Sequence, residues 1–83
     1  MSSHAGETLA DYLDEKNITQ AEFAKKIKRP LKTVNEIIKG KCRITTETAF
    51  QLQRYTKISA EFWLIRQMNY EINQFKKGQR GIK

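Results

Sequence analysis

Histidine and cysteine are nearly missing from this chain: each occurs once, as His4 and Cys42. One thiol excludes an intrachain disulfide, and one His with one Cys cannot make up a usual zinc ligand set. Zinc-dependent and histidine-based catalysis are thereby excluded. Cys42 sits in a basic loop, a setting that can activate a thiol, but it reads as an incidental small residue. There is also no HExxH, no glycine-rich phosphate loop and no acid–base cluster, so neither enzymatic activity nor a cofactor is expected. No run of about 18 apolar residues offers a membrane span. The opening MSSHAGETLADYLDE lacks the basic start and apolar stretch of a signal peptide, which makes a cytoplasmic location the expectation. With 83 residues, 39% of them hydrophobic, the chain suffices for one small domain with a modest core. Self-association would be a natural supplement to so small a core.

Positive charge is plentiful, with a formal net of +7, and it is unevenly placed. Residues 1–24 carry five acids and one lysine, whereas residues 25–43 carry eight bases and one acid. Residues 44–75 balance, and the closing 76–83 adds four bases. A localised basic block of this kind points to a polyanion, nucleic acid before an anionic membrane. The acidic beginning argues against a general charge sponge.

Nothing in the sequence alternates like a strand, and five helical segments can be placed by periodicity and capping. The first, about Glu7 to Lys16, puts Leu9, Tyr12 and Leu13 on one face and stops near Asn17. The second opens on Thr19-Gln20-Ala21-Glu22, a capping box, and runs through Phe23, Ala24 and Ile27. Pro30, the only proline, suits the start of a third helix from Leu31 to Lys39, which buries Val34, Ile37 and Ile38. Gly40 offers a left-handed cap. The fourth begins near Thr45 and turns Ala49, Leu52 and Tyr55 inward; the fifth, about Ala60 to Phe75, is capped by Ser59. Residues 76–83 show no apolar periodicity and read as a disordered basic tail. The expected fold is a small all-α bundle.

Two short helices joined by a tight turn, the second basic and amphipathic, describe a helix-turn-helix. Ala24 permits the close crossing, and Val34 and Ile37 supply the buried aliphatics. Any antiparallel helix pair would share part of this pattern; the charge block is what favours the DNA-binding motif.

At this point HAGETLADYLDEKNITQAEFA, RPLKTVNEIIKGKCRITTETAFQL and AEFWL resemble the HigA-type antitoxins, a branch of the lambda-repressor-like helix-turn-helix family. The likeness covers roughly residues 4–72 and rests on separated motifs in the family's order: GE, RPxKTxNEIIxGKxxIT, TxETAxQL and FWL. It implies a five-helix domain over residues 4–75 that binds operator DNA as a homodimer, represses its own operon and binds a small toxin. Lys28 and Lys57 stand where the family often has glycine after a helix; either each holds a left-handed conformation or the helices end differently. Ala5 and Thr46 stand where proline is common.

On the third helix, Leu31, Lys32, Asn35, Glu36 and Lys39 take the solvent side, with Thr33 at its edge. Asn35 suits adenine N6 and N7, Lys32 a guanine or a phosphate, and the Thr33 methyl a thymine methyl. Glu36 either accepts from cytosine N4 or pairs with Lys32 and Lys39 at helical spacing. A ring of Gln20, Arg29, Lys39, Lys41 and Arg43 is expected on phosphates; Lys25 and Lys26 read as a solvated face. On the fifth helix, Phe62 and Trp63 are expected in the core. Leu64, Met68, Ile72 and Phe75 form an outer stripe suited to a dimer contact, with Phe62 and Ile65 off it. A toxin-free repressor of the same fold fits the same residues, and a pure protein-interaction module would differ by showing no salt-dependent DNA binding. RNA is disfavoured, since no sheet offers an aromatic platform.

Overall fold

Wherever apolar side chains recur three and four residues apart, the chain is helical. The computed structural model describes residues 4–78. In order these form α1 (Ala5–Lys16), α2 (Gln20–Ile27), α3 (Leu31–Ile38), α4 (Thr46–Thr56) and α5 (Ala60–Gly78), with no strand among the described residues.

Local chemistry sets most of the ends. Thr19 Oγ1 accepts from the Glu22 amide (3.1 Å) and the Glu22 carboxylate accepts from the Thr19 amide (2.9 Å), so the capping box closes both ways. Thr45 and Ser59 accept from the amides of Thr48 and Phe62 and open α4 and α5. Asn17, Lys28 and Lys57 end α1, α2 and α4 in the left-handed region, at φ 58, 58 and 67. The two lysines therefore hold the conformation that glycine would adopt without strain. Gly40 does so freely after α3, at φ 79. Helix α5 runs three residues beyond Phe75, so Lys76 and Lys77 lie in its last turn, where a cation favours the helix dipole. The rest of the tail expected to be disordered lies outside the described residues.

The core gathers Leu9 and Leu13 from α1, Phe23, Ala24 and Ile27 from α2, Val34 and Ile37 from α3, Ile44, then Ala49, Leu52, Ala60 and Trp63. The large side chains of Trp63 and Phe23 are fully enclosed. Helix α3 packs on α1 and α2, while α5 packs on α4 and α1. Gly6 allows the α1–α3 approach, because a Cβ there would strike the Ile37 carbonyl and the Ile38 backbone.

Two expected core residues turn outward. Tyr55 is 37% exposed and contributes only its carbonyl, which accepts from the Tyr12 hydroxyl at 3.1 Å. Phe62 is 38% exposed and stands edge-on to Trp63, with the Arg66 guanidinium 5.7 Å from its ring centre. Trp63 is fully enclosed in the core, and Phe62 lies beside it at the rim.

Candidate nucleic-acid interface

The turn from Lys28 to Pro30 sets α3 across α2. Backbone amides tie it down: Arg29 donates to Ala24 O, and Thr33 and Val34 donate to Pro30 O. Val34 and Ile37 are buried beneath α3, which fixes the opposite side of the helix as its outer face.

On that face Leu31, Lys32 and Lys39 are exposed, while Thr33, Asn35 and Glu36 are half-buried. Asn35 is not a free solvated side chain. Its Nδ2 donates to Gln20 Oε1 at 3.1 Å, joining the first residue of α2 to the middle of α3. That bond orients the Asn35 amide and leaves its carbonyl oxygen and second N–H available. Glu36 enters no ion pair with Lys32 or Lys39, so that alternative is not realised; its main-chain carbonyl instead accepts from Lys41 and Cys42 and closes the end of α3.

The expected phosphate ring divides in two. Its lysines, Lys39 and Lys41, are exposed, as is Lys32 beside them, and among the described residues none of the three is in an ion pair. Lys28, Lys25 and Lys26 are exposed as well. The two arginines are committed elsewhere. Arg29 donates from Nε to Gln51 Oε1 at 2.9 Å and lies 3.8 Å from Glu47, drawn onto α4. Gln51 in turn donates to Ile27 O. Arg43 grips Glu71 with both ends of its guanidinium, at 2.8 and 3.1 Å. Gln67, buried in α5, completes that cluster by donating to Glu71 Oε2 (2.8 Å) and accepting from the Ile44 amide (2.9 Å). The hydrogen bond from Arg43, then that from Gln67, hold the Glu71 carboxyl below its ordinary range. The same bond raises Arg43 above its ordinary value.

These positioning residues, Gln51, Glu47, Gln67 and Glu71, were not singled out from the sequence. One signal existed: Gln67 falls four residues after Trp63 and so shares its buried face. On the outer side of α5, Ile65 (51% exposed) lines up with Met68 (50%), Ile72 (44%) and Phe75 (65%). Leu64 packs partly against the core instead. Of these two neighbours Ile65 is the more exposed, although Leu64 was the one expected on the outer stripe.

Among the described residues no group of three or more His, Cys, Asp or Glu side chains could hold a metal ion, and no helix is long and apolar enough to cross a membrane.

The family pattern described as helix-turn-helix matches residues 9–63, two-thirds of the chain and all of the α2–α3 unit. An addiction module antidote protein of the HigA family from Coxiella burnetii is 32% identical, with a TM-score of 0.88 over 95% of this chain and 88% of that one. The chain belongs to the HigA family of helix-turn-helix antitoxins. The antitoxin HigA of Pseudomonas aeruginosa, solved with the higBA promoter, is 31% identical over 95% of this chain and 87% of its own, at a TM-score of 0.90. A further Pseudomonas aeruginosa structure, in complex with 28 bp of its operator DNA, is 32% identical over 95% and 88%, also at 0.90. No curated protein sequence matches. Within the helix-turn-helix unit of this HigA-family chain, α3 is the second helix, the one that such motifs lay in the major groove.

Proposed function

We propose that this chain binds operator DNA sequence-specifically as a homodimer, represses its own operon and binds a cognate toxin as an antitoxin of the HigA family. The observation that carries this reading is the outer face of α3, where lysines without ion-pair partners flank an asparagine oriented by Gln20. Relatives at 31 and 32% identity, solved with the higBA promoter and with operator DNA, support it.

Asn35 pairs with adenine N6 and N7, and Lys32 reaches a guanine or a phosphate. Glu36 accepts from cytosine N4, and Thr33 lines the edge of the contact. Lys39, Lys41 and the first-turn amides of α2 beside Gln20 take phosphates; they set register and supply affinity without reading sequence. Arg29 and Arg43 contribute positive potential from the flanks while held by α4 and α5. The dimer forms through Ile65, Met68, Ile72 and Phe75, with Leu64 at the margin. Four half-exposed apolar side chains in one stripe call for a cover, and a second copy supplies an identical one. A two-fold pair places the recognition helices about one DNA turn apart, ~34 Å, and requires a palindromic site. The chemistry is binding, not catalysis, and its setting is the cytoplasm.

Fluorescence anisotropy against DNA from the protein's own upstream region and against a shuffled duplex, at several salt concentrations, tests the operator reading. Preference for the native duplex, weakening steeply with salt, is expected. Equal binding to both leaves only a basic surface. Co-purification with the product of an adjoining toxin-sized reading frame tests the antitoxin half; its failure favours a free-standing repressor.

A further inference from the structure

We propose that Leu31 is a specificity-determining residue of the operator contact and reads the 5-methyl group of thymine. This rests on the operator reading above.

A lone exposed leucine is ordinary on a protein surface. Leu31 differs in where it stands. It is 49% exposed and is the first residue of α3, the end of a recognition helix that enters the major groove. Pro30 precedes it in extended conformation, at φ −60 and ψ 146, and its carbonyl accepts from Thr33 and Val34, so the first turn is already built. Helical side chains lean toward the N-terminus, which carries the isobutyl group ahead of the helix.

Leu31 and Asn35 lie four residues apart and so share one flank of α3. Asn35 is tied there to Gln20. The axial rise between them is ~6 Å, under two base-pair steps of ~3.4 Å. An adenine under Asn35 therefore places Leu31 within about two base pairs of it. There the thymine methyl is the one apolar group that the major groove offers. Thr33, to which the sequence pattern had assigned a methyl contact, is half-buried and lies about 200° around the helix from Leu31. It serves the other flank. The methyl-reading role passes to Leu31.

The test uses the full chain and its upstream DNA, amplified once with thymidine and once with deoxyuridine triphosphate, which removes the methyls and leaves the pairing. Burying one methyl corresponds to about fourfold in affinity per half-site, hence about fifteenfold for a dimer on two. The wild type is expected to bind the thymine duplex more tightly than the uracil duplex by that order. Leu31→Ala is expected to bind both alike, near the wild-type affinity for uracil DNA, with far-UV circular dichroism unchanged because the side chain packs little. Lys32→Ala should weaken both duplexes equally and keep the ratio. A wild type indifferent to the methyls, or a Leu31→Ala variant that still discriminates, overturns the assignment while leaving operator binding in place. Loss of preference for native thymine DNA over a shuffled duplex would remove the operator reading itself, and Leu31's role with it.

Discussion

Gln67→Met separates a hydrogen-bonding role for this side chain from a packing one. Methionine keeps the length and much of the volume, so it creates little cavity. What it removes is the oxygen that accepts from the Ile44 amide at 2.9 Å and the N–H that donates to Glu71 at 2.8 Å. Ile44 is 1% exposed and Gln67 is 8% exposed, so the orphaned amide has little access to water. An unsatisfied buried donor costs about 1–3 kcal/mol, and the value here belongs in the middle, about 2 kcal/mol, because Ile44 lies beside an exposed loop. In a domain of this size each kcal/mol lowers Tm by about 4–8 °C. Urea denaturation should therefore show a loss of about 2 kcal/mol, and thermal melts a drop in Tm of about 10 °C. Both are run at one protein concentration, because the proposed dimer would make the apparent stability depend on it. Gln67→Glu supplies the control: it keeps an acceptor for Ile44 but sets a second carboxylate against Glu71. At neutral pH it too should be destabilised, and it should recover toward the wild type as acid neutralises the pair. A Gln67→Met protein within about 0.5 kcal/mol of the wild type, the range of an ordinary surface change, would refute the reasoning.

Other outcomes follow from the same contacts. Glu71 titrates below its ordinary 4.5 in the folded state, so its pairing stabilises the fold fully above that pH and is lost as pH falls through the depressed value. Glu71→Gln should lower stability at neutral pH and converge on the wild type in acid, and so flatten the acid side of the stability curve. Lys57→Gly should stabilise: it relieves a left-handed residue at φ 67, a strain of about 1–2 kcal/mol, against about 0.4–1 kcal/mol of added chain entropy. A melt raised by several degrees is the check. Asn35→Ala should cost about 1–3 kcal/mol on the native site and relax base preference at one position, read by anisotropy against single-base variants. Lys32→Ala should reduce the salt slope by about one phosphate contact if it holds a phosphate, and leave that slope unchanged if it holds guanine.

How much of this was legible beforehand depends on the distance over which each interaction acts. The Thr19–Glu22 box, the Gly40 turn and the Ser59 cap are settled within three or four residues of chain, and the sequence pattern located each of them. Periodicity also identified which side chains share a face. It does not say which flank of that face meets a neighbouring helix. Leu64 and Ile65 are one residue apart, about 100° around α5, and only the position of the neighbouring helices decides that Leu64 packs inward while Ile65 faces out. Phe62 and Tyr55 were misplaced for the same reason. Lys28 and Lys57 show the opposite limit. The local signal for a helix end was present, but the sequence left open whether a lysine would take the left-handed position, because its cost is offset by packing made elsewhere in the fold.

The arginines carry this argument to the site. Composition counts Arg29, Lys39, Lys41 and Arg43 alike, as charges near a recognition helix. Their partners divide them, and those partners lie far along the chain: Gln51 is 22 residues from Arg29, and Glu71 is 28 from Arg43. A planar, multidonor guanidinium can satisfy two acceptors at once, and both arginines are used in that way to brace the structure. The lysines, with one mobile ammonium each, are left to the solvent, where a phosphate can take the place of water. Lys41 and Arg43 are only two residues apart, yet Arg43 and Gln67 anchor the stretch that holds Lys41 in position. Since Glu71 adjoins Ile72 on α5, the loop carrying Lys41, a phosphate contact in the proposed reading, and the apolar stripe proposed to meet a second copy hang on one helix. Any change that tilts α5 must move both.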